Sequence, residues 1–107
     1  MIELTQTDEQ RLLMMVAYAG DANAKVFDAL DAYETNNLDK ALHILNEAQE
    51  ELLNAHRRQH ELLSEEANGG EVTPSILLIH AMDICMSAAN SIQHARKLIT
   101  LLESRKK

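Results

Sequence analysis

Ile76-Leu77-Leu78-Ile79-His80-Ala81-Met82-Asp83-Ile84-Cys85-Met86 is the stretch that decides how this chain folds. From Val72 to Ala95 the only formally charged residue is Asp83. A helix with no charged side has no natural solvent face, so it must be covered all round. Thr73-Pro74 supplies its start: threonine offers a cap oxygen, and proline at the first helical position gives up no internal hydrogen bond. The helix is expected over about 74–104. With His80 at zero and an advance of about 100° per residue, His80, Asp83, Ser87, Asn90, Ser91 and His94 form a polar stripe roughly 100° wide. Leu78, Ala81, Met82, Cys85, Ala89 and Ile92 take the opposite side. A solvent stripe would carry Lys and Glu, whereas this one carries small uncharged groups and one Asp. Two partner helices within a monomer cover only part of a third. The stripe is therefore best explained by a second copy of the same helix across a symmetry axis, with Ser87 and Ser91 small enough for close approach.

Two helices precede it. The first is expected over about 7–33, opened by a capping box of Thr7 with Gln10. Its inward face reads Leu12, Leu13, Val16, Gly20, Asn23, Ala24, Phe27 and Leu30, with Gly20 allowing another backbone to come close. Asn36-Asn37 breaks the pattern, and Asn37 caps a second helix over about 38–67. That helix turns Ala41, Leu45, Ala48, Leu52, His56, Gln59 and Leu63 inward. Lys40, Glu47, Glu50, Arg57, Arg58, Glu61 and Glu65 face outward, and Asn68-Gly69-Gly70 ends it. Short connections between long helices make neighbours antiparallel. The expected fold is all-α: one domain, residues 1–107, as an up-down-up three-helix bundle.

Composition narrows the function. The net charge of −7 argues against a nucleic-acid partner held by its phosphates. The one basic cluster, Arg105-Lys106-Lys107, reads as a solvated end. Cys85 is the only cysteine, so no disulfide forms within the chain, and it reads as an inert buried thiol. The N-terminal segment Met1-Ile2-Glu3-Leu4-Thr5-Gln6-Thr7-Asp8-Glu9 lacks the basic start and apolar core of a signal peptide, and the apolar run Ile76–Ile79 is far short of a membrane span. The expected location is cytoplasmic. No glycine-rich phosphate loop and no nucleophile elbow occurs.

Two residues of the third helix carry chemistry. Neutral imidazole is a good nucleophile near pH 7, so His80 can take a phosphoryl group from one donor and pass it on. The competing reading is a hydrogen-bonded core histidine. If Asp83 lies on a symmetry axis, carboxylates from different subunits meet, and a proton or a cation must relieve their repulsion. A hard divalent ion such as Mg2+ suits oxygen ligands of this kind. Zinc held by His80 with Asp83, or by His56 with His60, has only two ligands in either case and no HExxH pattern, too few for a zinc site.

The chain resembles the IIA component of the lactose/cellobiose class of the bacterial sugar phosphotransferase system. The resemblance runs from about Arg11 to Leu102. It rests on Ala19-Gly20-Asp21-Ala22, on Glu50-Glu51-Leu52-Leu53-Asn54-Ala55-His56 with Gln59, and on Leu77-Leu78-Ile79-His80-Ala81-Met82-Asp83 with Met86. It implies a homotrimer in which His80 is loaded at Nε2 by the phosphocarrier HPr. His80 then passes the group to a cysteine of the cognate IIB component, which serves the membrane component IIC. It implies that Asp83 holds a divalent cation at the trimer axis. The supporting residues expected around His80 are Gln59, His56, Met82 and Ser87; of these, Gln59 and His56 match the family's helix-two pattern, with packing an equal explanation for both. Three positions depart from the family pattern: Met82 and Ile84 where Gln and His are usual, and Asn23 where Arg is usual. A phosphoryl group carries about two negative charges, so fewer donors and cations should weaken its stabilisation. The main expectation is a phosphocarrier for a β-linked disaccharide of the cellobiose, lactose or chitobiose type. The alternative is a non-catalytic helical trimer that binds and regulates a partner.

Overall fold

The structure, a computed structural model, describes residues 6–70 and 75–106. It contains α1 (Gln6–Glu34), α2 (Leu38–Ala67) and α3 (Ile76–Ser104), and among the described residues there is no strand. Lys25 on α1 lies 3.5 Å from Glu51 on α2, and Arg11 lies 3.1 Å from Glu61, so α1 and α2 run antiparallel. Arg96 on α3 donates to Asn46 Oδ1 on α2 at 3.0 Å, and Tyr33 on α1 donates to Glu103 on α3 at 2.9 Å. The order is up, down, up, as expected.

Local chemistry sets the ends. Asn36 has φ 63°, and its N–H reaches Tyr33 O at 2.9 Å while Asn37 N–H reaches Ala32 O at 3.0 Å. This is a left-handed helix stop with asparagine in the usual glycine place. Asn37 then accepts from Lys40 N–H as the cap of α2, so one residue closes a helix and opens the next. Gly69, at φ 90°, ends α2 the same way, with Gly69 N–H on Glu66 O and Gly70 N–H on Glu65 O. The start of α3 differs from expectation: Ser75, not Thr73, is the cap, accepting from Leu78 N–H at 3.0 Å. Thr73 and Pro74 lie outside the described residues, as does the side chain of Thr7.

The core repeats in sevens. It reads Leu12, Met15, Ala19, Ala22, Val26 and Ala29 on α1; Ala41, Leu45, Ala48, Leu52, Ala55 and Leu62 on α2; and Ala81, Cys85, Ala88, Ile92, Ala95 and Ile99 on α3. Alternating steps of three and four keep one seam facing the partner helices, the pattern of coiled-coil packing. Small alanines dominate the seam and let the helices lie close. This corrects two inward faces. On α1, Leu13, Ala24 and Phe27 are exposed, Phe27 at 71%. On α2, the seam passes through Ala55 and Leu62, leaving His56 and Leu63 exposed.

Gly20 is also reinterpreted. Among the described residues, a Cβ there would meet Ile84 Cδ1 alone, at 3.7 Å, an ordinary contact with a side chain and no backbone approach. Mid-helix glycine costs about 0.5–1 kcal/mol relative to alanine. Gly20→Ala is therefore expected to raise stability by about that amount in urea denaturation at fixed protein concentration. A loss instead would mean that something outside this chain packs on Gly20.

Glu103 ties α3 to α1. Lys106 Nζ lies 3.0 Å away and Tyr33 O–H donates to it, and these two donors hold its carboxyl below the ordinary 4.5. A depressed carboxyl contributes stability above its unfolded value and loses it as pH falls through the folded one. Glu103→Gln is accordingly expected to change stability near neutral pH and to leave it unchanged in acid, where both forms are uncharged. Denaturation curves across that range check it.

Candidate functional site

α3 is covered on one side only. Leu77, Leu78, Ile84 and Ala89 flank the buried seam, while Ile76, Ile79, Met82, Met86, Leu98, Leu101 and Leu102 are exposed, Ile76 at 88%. By length and composition α3 could even cross a membrane. Its apolar surplus is better understood from the second line of sevens it carries. Ile76, Ile79, Asp83, Met86 and Asn90 advance by three, four, three and four, and they point directly away from the seam within the chain. All five are exposed. The outermost line is thus more apolar than the stripe expected from sequence, with Asp83 and Asn90 as its polar members.

His80 sits beside this line, in the second turn of α3, with its side chain exposed; Asp83 and Ser87 are exposed as well. On the helix, Asp83 lies about 60° and Ser87 about 20° from His80, so the three share one open face. Ile84, about 40° on the other side of His80, is the residue that reaches toward Gly20. α1 therefore flanks His80.

Met82 lies about 160° from His80. Helical spacing puts it on the buried side, yet it is 41% exposed and lines a cavity of about 150 Å³. Gln59, Leu62, Leu63, Glu66, Leu78 and Met15 complete that cavity, which lies where α2 meets α3. Gln59 and Met82 are thus brought together, but on the side of α3 away from the His80 of the same chain. His56 belongs to neither group: it lines an outer cleft with Leu53, Arg57, His60 and Glu61. Cys85 is buried, and burial pushes its thiol up, in keeping with an inert side chain.

Sequence patterns do not reveal the ion cluster at this end of the bundle. Arg11 pairs with Asp8 at 3.3 Å, with Glu61 at 3.1 Å and with Glu65. The helical pattern turns Glu61 and Glu65 to solvent; the structure turns them to Arg11. Their spacing of four, which lets one cation meet both, is the available signal. Among the described residues, no group of three or more His, Cys, Asp and Glu is arranged to hold a metal ion. Asp83 alone offers one carboxylate, so a cation there fits only if other copies supply the remaining oxygens.

The site is thus an exposed histidine and aspartate three apart, on an under-covered helix of a heptad-packed bundle. Residues 10–103 match the family described as PTS system, Lactose/Cellobiose specific IIA subunit. The chain belongs to that family. It is 44% identical over 82 residues to the PTS system lactose-specific EIIA component of Staphylococcus epidermidis, covering 75% of this chain and 79% of that one. The corresponding protein of Lacticaseibacillus casei is 37% identical over 89 residues, 83% of this chain and 80% of the relative. The crystal structure of the PTS cellobiose-specific enzyme IIA from Bacillus anthracis superimposes with a TM-score of 0.89 at 29% identity, covering 96% of this chain and 94% of that one. This IIA chain is a phosphotransferase component with a phosphocarrier role in sugar uptake. Family membership implies HPr and a IIB component as the kinds of partner it works between.

Proposed function

We propose that His80 of this IIA chain carries the phosphoryl group. The observation that supports this reading most directly is the exposed imidazole of His80 within the segment that carries the family resemblance. The lone pair of Nε2 attacks phosphorus on phospho-HPr, a new N–P bond forms, and the N–P bond to HPr breaks as its imidazole leaves. A thiolate of the cognate IIB component then attacks the same phosphorus, forming an S–P bond as His80 leaves with its lone pair restored. The sugar served through IIC is a β-linked disaccharide of the cellobiose, lactose or chitobiose type, and the protein works in the cytoplasm.

The active unit in this proposal is a homotrimer built on the outward line of α3. Parallel copies of Ile76, Ile79 and Met86 bury one another, and Asn90 fixes register as a polar residue in such a seam does. The three Asp83 carboxylates converge and share a divalent cation, Mg2+ by the hardness of its ligands. Trimer geometry also gives Gln59 and Met82 a place. They flank α3 on the side opposite His80, so a neighbour's Gln59–Met82 groove faces this chain's His80. Ser87 lies on the same face as His80, where its hydroxyl can donate to the phosphoryl oxygens. His56 contributes nothing to the site in this arrangement.

A second reading is a regulatory trimer that binds a partner without carrying phosphate. It is favoured by Met82, which offers an apolar thioether where the family has an amide donor. Incubation with enzyme I, HPr and phosphoenolpyruvate separates the two. One acid-labile phosphoryl group per chain, seen by intact mass, supports the carrier. No addition, with HPr shown competent on another acceptor, favours the regulatory reading.

A further inference from the structure

His56 and His60 take no part in the transfer scheme. They stand four residues apart on α2, both exposed, and share one open cleft with Leu53, Arg57 and Glu61. Neither imidazole has a hydrogen-bond or ion-pair partner among the described residues, unlike His43, which lies 3.8 Å from Glu47. Arg57, which lines the same cleft, donates to Asn54 Oδ1 at 3.1 Å, toward the preceding turn. Side chains four apart on a helix lie one above the other, with Cβ atoms about 5–6 Å apart. Two imidazoles at that separation can converge on a single ion. Imidazole nitrogen suits copper, nickel and zinc, and a net charge of −7 draws cations to the surface.

We propose that His56 and His60 form a two-imidazole chelate for a first-row transition-metal dication, with water completing the coordination shell. It is an open surface site, not a closed structural zinc site, which needs four ligands. It is also separate from the Asp83 site, since a hard ion prefers carboxylate oxygen and a softer one imidazole nitrogen. A bound ion clamps one turn of α2 and stabilises the folded chain by mass action.

Titrating Ni2+ into the full chain, with Mg2+ in excess to hold the carboxylates, tests the site. The expected result is one Ni2+ per chain and a Tm that rises with Ni2+. Affinity should fall about tenfold or more in His56→Ala and in His60→Ala, because losing one ring removes the chelate. Both rings are exposed, so each variant keeps its fold, which circular dichroism verifies. His43→Ala and His80→Ala should bind Ni2+ as the parent does. No Ni2+ binding, unchanged affinity in both α2 variants, or loss of binding in His80→Ala would overturn the proposal. None of these outcomes depends on whether phosphoryl transfer occurs.

Discussion

His80→Gln is expected to abolish phosphoryl loading while leaving the bundle intact. Glutamine keeps polarity and approximate size but has no nucleophilic ring nitrogen, so the covalent step loses its acceptor. Losses of this kind are on the order of 10³-fold or more. The side chain is exposed, and the α3 seam of Ala81, Cys85, Ala88 and Ile92 does not involve it. Helicity and Tm should therefore match the parent. Radiolabel transfer from phospho-HPr, measured alongside circular dichroism, separates loss of chemistry from loss of fold. Parent-like loading in this variant would end the assignment.

Asp83→Leu is expected to give a trimer whose assembly no longer responds to Mg2+. Two carboxylates about 5 Å apart repel by roughly 3 kcal/mol at an effective dielectric of 20. Three such pairs bring the strain to about 10 kcal/mol unless a cation or protons relieve it. In the parent, a chelator should therefore weaken assembly and lower Tm, and Mg2+ should restore both. In Asp83→Leu the repulsion is gone and the seam gains an apolar member beside Ile79 and Met86. Assembly should then persist with or without chelator. Sedimentation of both proteins, with and without chelator, checks it. A parent protein whose assembly ignores chelator, paired with an unchanged variant, would remove the cation from the account.

Helix ends are legible wherever a local signal sets them. Asn37 and Asn68-Gly69-Gly70 bound α2 where expected, because caps act through neighbouring backbone groups. Faces are less legible because alanine is apolar yet small. α1 carries Ala17, Ala19, Ala22, Ala24, Ala29 and Ala32 around much of its circumference, so large residues such as Leu13 and Phe27 draw the inward face to the wrong side. The seam instead follows the alanines that let helices approach. In α2 the steps of four through His56 and Leu63 drift off a seam that repeats in sevens. At the site, the common face of His80, Asp83 and Ser87 follows from helical spacing alone. The pairing of Gln59 with Met82, and the Arg11 cluster with Glu61 and Glu65, depend on how α2 packs against its neighbours, which no local pattern encodes.

The most direct test of the central claim is to locate the phosphoryl group. The chain has five histidines: His43, His56, His60, His80 and His94. Phosphorylation by phosphoenolpyruvate, enzyme I and HPr, followed by fragment mass spectrometry without acid exposure, assigns the label to one of them. The account predicts label on His80 alone. Label on any of the other four, or none from an HPr proven active, would contradict it.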